Sequence, residues 1–347
     1  MRVFILCLTV TGCPVHDPDV QPQKTPNILV LESDYATGLI SGWTDQFGAL
    51  LGSVPSGGDA RLIAIDSGVA LLERSGTDAV TFFDQDLRYL DQIALPERSN
   101  PHDLIEHDDS FWISLYQHPN ILRLSSSNYQ LQPAIDGSSW TDRDGRPEAS
   151  AMHVYHDTTV FILVQNLDFT GVEPVPPESS QLLQLSASGE LLKRHLIPGN
   201  PFGAMTERPN GDLVFACNRS WNVDEQAGLW RFNPDQEVGE FLIQESELNG
   251  NILDFEWYDD HVYLVVSKAD FTTALYRFSP AQDELTVITG EGSEAIGCIK
   301  RIDESLFICD RTVGAYGLRK IDTEHHIINA QRIKTTLAPL QIVSPLP

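Results

Sequence analysis

A short apolar strand recurs seven times along this chain at nearly even spacing. The stretches are Arg61–Asp66, His102–Glu106, Ala151–Tyr155, Gly203–Glu207, Ile252–Trp257, Ile296–Ile302 and Leu340–Val343. Intervals of about 40 to 50 residues are the mark of stacked repeats, in which no single unit can bury its apolar face alone. That period argues against a nucleotide-binding or barrel enzyme.

Each unit has the same anatomy. After His102–Glu106 come the turn His107-Asp108-Asp109-Ser110, the run Phe111–Leu115, a bend at His118-Pro119-Asn120, the run Ile121–Leu124 and the segment Asn128–Leu131. Four strands joined by hairpin-length turns recur in the later units. Apolar runs of four to seven residues, with no helix-length stripe, exclude the helical repeats. Blades packed face to face need this pattern.

The first unit is incomplete. Asn27–Glu32, Gly38–Trp43 and Gly48–Val54 supply three strands, and the chain ends on a lone apolar strand, Leu340–Val343, in the first-strand position. The spacing therefore predicts an all-β fold: a seven-bladed β-propeller of four-stranded antiparallel blades, closed by the C-terminal strand. Six or eight blades remain open alternatives, since boundaries read from one sequence are loose. Across 347 residues no Pro/Gly/Ser-rich linker divides the chain, so residues 27–347 read as one domain. Two irregular excursions, Asp136–Ser150 and Asn166–Ser179, bracket one blade and could shape a binding rim.

The N-terminus carries separate information. Met1-Arg2 precedes the apolar run Val3–Val10, and Val10-Thr11-Gly12 leads into Cys13. This resembles a bacterial lipoprotein signal peptide over residues 1–12, which implies lipidation of Cys13. Ordinary secretion and a chance match in a cytoplasmic chain are the alternatives. Residues 13–26 are polar and proline-rich, a tether between lipid and ring. The expected location is the cell envelope, anchored to a bacterial membrane and facing the periplasm or the cell surface.

Forty-nine acidic against 23 basic residues leave a formal net charge of −26. Such a field repels nucleic acid, which is excluded as a partner. Cys298 and Cys309 stand symmetrically about the turn Asp303-Glu304, so they could bridge two adjacent strands; two buried thiols are the alternative. Cys217 has no evident partner, and no Cys-x-x-Cys spacing occurs.

Candidate sites are few. In Trp140-Thr141-Asp142-Arg143-Asp144-Gly145-Arg146-Pro147-Glu148, the hard oxygens of Asp142, Asp144 and Glu148 surround a glycine turn, as a small Ca2+ loop requires. An Asx turn tied to Arg146 is the structural alternative. First strands line a propeller's channel, so His102, Asp103, Glu207, Asp254, Glu256 and Lys300 could converge on one mouth and bind a metal or activate water. They could equally satisfy turn backbones in a wet channel. Adjacent His325 and His326 would face opposite ways in a strand, against joint ligation. Trp112, Trp230 and Trp257 read as packing between blades. Trp140 and Trp221 lie in loop settings where an indole could stack on a sugar or a protein partner, or pack into the rim. Gly-x-Ser-x-Gly, Gly-x-Gly-x-x-Gly and His-Glu-x-x-His are absent.

The signal together with Pro101-His102-Asp103, Asp142–Glu148 and Leu163-Val164-Gln165-Asn166-Leu167-Asp168 resembles a group of uncharacterised, myxobacterial-type surface lipoproteins with YVTN/NHL-like propeller domains. The resemblance implies envelope attachment and binding of a protein or a carbohydrate; some relatives in the broader class are enzymes, but no catalytic motif maps here and the Tyr-Val-Thr-Asn signature is missing. The function expected is thus a lipid-anchored binding or scaffolding propeller with no cofactor beyond a possible Ca2+. A hydrolase or lactonase at the channel mouth is the alternative.

Overall fold

The computed structural model describes residues 26–44, 50–74, 76–170, 177, 179–218, 225–293 and 295–345, with only the backbone of 290–293. Its strands form seven four-stranded antiparallel sheets arranged as a ring. The chain is a seven-bladed β-propeller.

Blade 1 takes its innermost strand, Pro339–Val343, from the C-terminus and its other three, Ile28–Ser33, Thr37–Trp43 and Gly52–Gly57, from the N-terminus. Pairing is antiparallel, with Leu29 opposite Val343 and Val30 opposite Ile342. The seven recurrent stretches are the inner strands. In blades 2 to 7 these run Ala60–Ile65, Pro101–His107, Ala149–Tyr155, Pro201–Glu207, Asn251–Tyr258 and Ile296–Ile302. Two outer strands differ clearly from the sequence expectation, and that of blade 3 is Leu131–Ile135 rather than Asn128–Leu131. The outer strand of blade 1 runs to Gly57 through Pro55, because an outer edge needs no N–H donor on its open side.

Apolar periodicity becomes packing in a simple way. Both faces of each sheet are covered by neighbouring blades, so the second strands read as continuous apolar runs: Ser110–Leu115 and Leu213–Cys217 are buried at every position. Seven apolar clusters result, one for each interface between blades. Phe82, Phe111 and Ile113 fill that between blades 2 and 3, and Leu264, Val266 and Ile252 contribute to that between blades 5 and 6. Outer strands face solvent and alternate, as in Tyr89–Ala94.

The core between blade 7 and blade 1 contains Cys298, Cys309, Ile28, Val30 and Ile342. Here Cys298 and Cys309 form a disulfide across the first two strands of blade 7, with Cα atoms 4.9 Å apart. Cys217 is a buried free thiol, pushed well up in pKa by that burial.

Strand direction gives the ring two distinct faces. Inner strands run from an entry face to an exit face, so the loops between second and third strands, and the connections between blades, lie at the entry. Hairpin turns lie at the exit. Both the start of Ile28–Ser33 and the end of Pro339–Val343 are at the exit face.

Candidate functional site

The entry mouth is built by irregularity at the starts of the inner strands. Register breaks between Pro101 and Asp103, Ala149 and Ala151, Phe202 and Thr206, Ile252 and Asp254, and Ile296 and Ile299, in five successive blades. A β-bulge bends its strand and re-aims the extra residue. His102 and Ser150 are such extra residues.

Around them a polar network crosses four blades. Arg61 of blade 2 donates from Nη1 to the His102 carbonyl at 2.8 Å and the Ser150 carbonyl at 3.3 Å, and its Nη2 lies 3.5 Å from Asp103. Arg74 pairs with Asp59 and places Nη1 3.1 Å from His102 Nε2. The imidazole stacks on Tyr116, ring centroids 4.5 Å apart. The Tyr116 hydroxyl donates to Gln165, whose amide donates to the Pro201 carbonyl at 2.6 Å.

This geometry decides what His102 can do. Facing a guanidinium, Nε2 must accept, which leaves the proton on Nδ1, 3.5 Å from the Ser150 carbonyl. Burial, then Arg74 and Arg61, push the imidazole down to about 3. It is neutral, and its lone pair is engaged by Arg74. Such a group orders the mouth rather than taking a proton from water. Burial, followed by the neighbouring Glu148, likewise raises the Tyr116 phenol.

Of the remaining channel candidates only Asp103 touches this network, through Arg61. Asp103 is buried and accepts the Met152 N–H at 2.7 Å, tying blade 3 to blade 4. Asp254 occupies the equivalent place in blade 6 and accepts the Ile299 N–H of blade 7 at 2.9 Å. Glu256 accepts the Arg301 N–H at 3.3 Å and pairs with Lys300 at 2.8 Å. Glu207 lies towards the exit face, 2.8 Å from His153. These acids staple neighbouring inner strands, a use the sequence spacing could not reveal. Arg61, Arg74, Tyr116 and Gln165 were missed because each gains its place only when separate blades meet.

The staples carry a titration. Burial pushes Asp254 up to about 7, with Glu256 adding to the rise while the Ile299 N–H and Lys300 oppose it. Between the ordinary value of 3.8 and about 7 the folded protein holds a proton that the unfolded chain has lost. Stability therefore falls as pH rises through this window and levels off above it. Relative to Asp254→Asn, the wild type is expected to lose up to about 1.4 kcal/mol per pH unit there. Urea unfolding of both proteins measures it, and a constant difference from acid to neutral pH overturns the assignment.

Of the two readings of Trp140, packing holds and the ligand contact does not. The residue is 2% exposed and packs with Trp112, Ile135 and Met152 between blades 3 and 4, so it offers no surface for a ligand. The short 3-10 turn Ser138–Trp140 carries the indole inward. Trp112 is fully buried, and Trp257 stacks under Arg208 at 3.4 Å. Trp221 and Cys13 lie outside the described residues. His325 bonds Asp322 at 2.9 Å while His326 turns to Arg277 and Tyr263, so the two rings do not share a ligand.

The Asp142–Glu148 segment forms successive Asx turns. Asp142 accepts the Asp144 N–H at 3.1 Å, and Asp144 accepts the Arg146 N–H at 2.9 Å. Asp144 also accepts the Phe169 N–H at 3.3 Å, which joins the two irregular excursions of blade 4. Arg146 lies over the Phe169 ring rather than against an aspartate. Glu148 is fully buried and accepts the Leu167 N–H at 3.0 Å; burial, then Asp144, push its carboxyl up to about 9. Among the described residues, no three His, Cys, Asp or Glu side chains stand ready to hold a metal ion.

The two faces differ chemically. Tyr35, Phe169, Phe271 and Val313 at loop positions and Phe202 at the start of an inner strand expose large apolar groups at the entry face. Among the described residues the loops of the exit face expose only Leu50 in this way, although Tyr89, Leu131, Val238 and Ile327 are exposed where outer strands start on that side. Its turns instead carry exposed acids, among them Asp108, Asp109, Asp259, Asp260, Asp303 and Glu304.

No family model and no curated protein matches this sequence. Solved structures do match its fold. A putative 6-phosphogluconolactonase from Bacteroides fragilis is similar at a TM-score of 0.63 and 12% identity, over 93% of this chain and 99% of that one. A protein from Lactobacillus plantarum is similar at 0.62 and 11% identity, over 91% and 98%. Apo AztD from Citrobacter koseri is similar at 0.56 and 13% identity, over 91% and 96%. At these identities the likeness concerns architecture alone.

Proposed function

We propose that the protein is a binding propeller that engages an envelope protein or carbohydrate through its entry face. The observation that carries this is the display of the exposed loop aromatics Tyr35, Phe169 and Phe271 on that face. Two of them are held at a backbone cost: Tyr35 (φ 67°) and Phe271 (φ 63°) adopt the left-handed region while 67% and 66% exposed. A bulky residue in this region costs on the order of 1 kcal/mol, and here no burial offsets it. Aromatic groups so displayed are suited to stacking on a partner. The arginine network beneath supplies a rigid floor.

Lipidation of Cys13 belongs to this reading. The tether would join the ring at the exit face, where Ile28–Ser33 begins, and leave the entry face turned from the bilayer. Among the described residues no helix is long and apolar enough to cross a membrane. Mass analysis of the mature N-terminus in the native host tests the anchor, and an intact Met1 overturns it.

The test of the face uses Tyr35→Asn and Phe271→Asn together, because asparagine tolerates a left-handed backbone. Thermal stability is expected to hold or rise slightly. Retention on cell-wall polysaccharide and on envelope membranes from the native host is expected to fall at least about tenfold, since exposed aromatic anchors dominate such contacts. Undiminished retention of the double variant on both overturns the reading.

Lactone hydrolysis at the channel mouth is the second reading, favoured by the fold's likeness to the putative 6-phosphogluconolactonase. Against it stand the engagement of His102 by Arg74 and the use of Asp103, Asp254 and Glu256 as staples. An assay with 6-phosphogluconolactone is expected to show no turnover above His102→Ala.

A further inference from the structure

Two loops meet on the rim of blade 4 and bring oxygen atoms together from both. The first enters the inner strand through Asp142, Asp144 and Glu148; the second follows Thr159–Val164 through Asn166 and Asp168. Asp142 accepts the Asp144 N–H, Asp144 accepts the Phe169 N–H of the second loop, and burial, helped by the nearby Asp144 and Asp168 charges, raises the Asp142 carboxyl. Carboxylates gathered in this way repel one another unless a proton or a cation is taken up.

Beneath them lies an independent irregularity. Glu148 has no solvent exposure, and while Oε2 accepts the Leu167 N–H, Oε1 has no hydrogen-bond partner. The buried Asn166 Oδ1 is also without one. Buried acceptors left unmade cost about 1–3 kcal/mol each, and native proteins keep few of them. Every group concerned is a hard oxygen acceptor, and no nitrogen or sulfur ligand stands among them. That donor set suits Ca2+, which takes six to eight oxygens in flexible geometry.

We propose that the rim of blade 4 is a calcium site, held by Asp142, Asp144 and the orphaned Glu148 oxygen, with Asn166 and Asp168 completing the shell. No finished cage of three acidic or histidine side chains exists among the described residues. Cation uptake closes the Asp142–Glu148 turn onto the second loop. The consequence reaches the mouth: the Gln165 N–H donates to the Glu148 carbonyl at 3.2 Å, and Gln165 holds both Tyr116 and the Pro201 carbonyl. A bound ion would thus brace the entry face.

The test is calcium titration of the chelator-stripped full chain, read by calorimetry and by thermal unfolding. One ion per chain is expected, with a melting temperature that climbs as free calcium rises. Asp142→Asn/Asp144→Asn keeps the acceptors of both Asx turns and is expected to melt like the wild type in chelator, yet to bind calcium at least about tenfold more weakly, since ligand charge sets affinity. Glu148→Gln is expected to weaken binding similarly. No saturable uptake by the wild type up to about 10 mM, beyond the range of weak extracellular sites, overturns the proposal. So does equal affinity in the Asp142→Asn/Asp144→Asn variant.

Discussion

Truncation after Ala338 is expected to abolish cooperative folding of the whole ring. The lost strand, Pro339–Val343, is the innermost strand of blade 1 and the only one of that blade drawn from the C-terminus. Without it Ile28, Val30, Leu29 and Leu31 lose their cover, for Ile342 and Val343 pack in the cores on either side of the blade. Burial of each such side chain is worth about 1.5–3 kcal/mol. Polar closure is lost as well. Gln341 bonds both the N–H and the carbonyl of Leu62 in blade 2, at 2.9 and 2.7 Å. The fully buried Glu32 carboxylate loses the Thr336 and Leu337 N–H groups it accepts at 2.7 and 2.8 Å, since their segment has nothing left to hold it. These losses together rival the about 5–15 kcal/mol that keeps a domain folded. Circular dichroism of the truncated chain during heating is expected to show no sharp transition. A cooperative melt at the wild-type temperature overturns this account of closure. Gln341→Ala separates the contributions and is expected to cost only about 1–3 kcal/mol, since it removes two hydrogen bonds but no strand.

The second large effect concerns the bridge next to that closure. Replacing Cys298 and Cys309 by alanine is expected to cost about 3 kcal/mol, the value for closing a loop of this length in the unfolded chain. Both cysteines are buried in the core between blades 7 and 1, so the substitution also trims packing where the ends of the ring meet. In a chain of this size the loss appears as a drop of several degrees in melting temperature. Reductant should lower the wild type towards the double variant and leave the variant unmoved. Identical melting of wild type with and without reductant, with thiol counting to confirm reduction, removes the bridge from the stability of the fold.

The candidate site was less legible than the fold, and particular residues show why. The sequence draws notice to His102 and Asp103 because they open an inner strand. Their roles depend on Arg61 and Arg74, which arrive from blade 2, and on Met152, whose N–H belongs to blade 4. Nothing in the spacing from Arg61 to His102 distinguishes this pair from any other arginine and histidine. For Trp140 the sequence left ligand stacking and rim packing both open. A tryptophan beside an acidic turn looks like a surface anchor, yet the 3-10 turn folds it under the rim into an apolar cluster. Asp142, Asp144 and Glu148 do lie near one another, as their spacing suggests. The partner loop at Asn166–Phe169 is legible only in the folded protein, where the second strand of blade 4 returns it to the same rim.

By itself the sequence determined the architecture: four strands per unit, seven inner strands and a last strand that completes the first blade. Strand length, apolar alternation and turn residues are local properties, written in consecutive positions and repeated until chance is a poor explanation. Only the tertiary structure decided which side chains meet at the mouth, which acids serve as staples between blades, and which aromatic groups stay in solvent. Those outcomes depend on contacts between blades, where residues some 40 positions apart in the chain become neighbours and burial, not spacing, sets what each group can do.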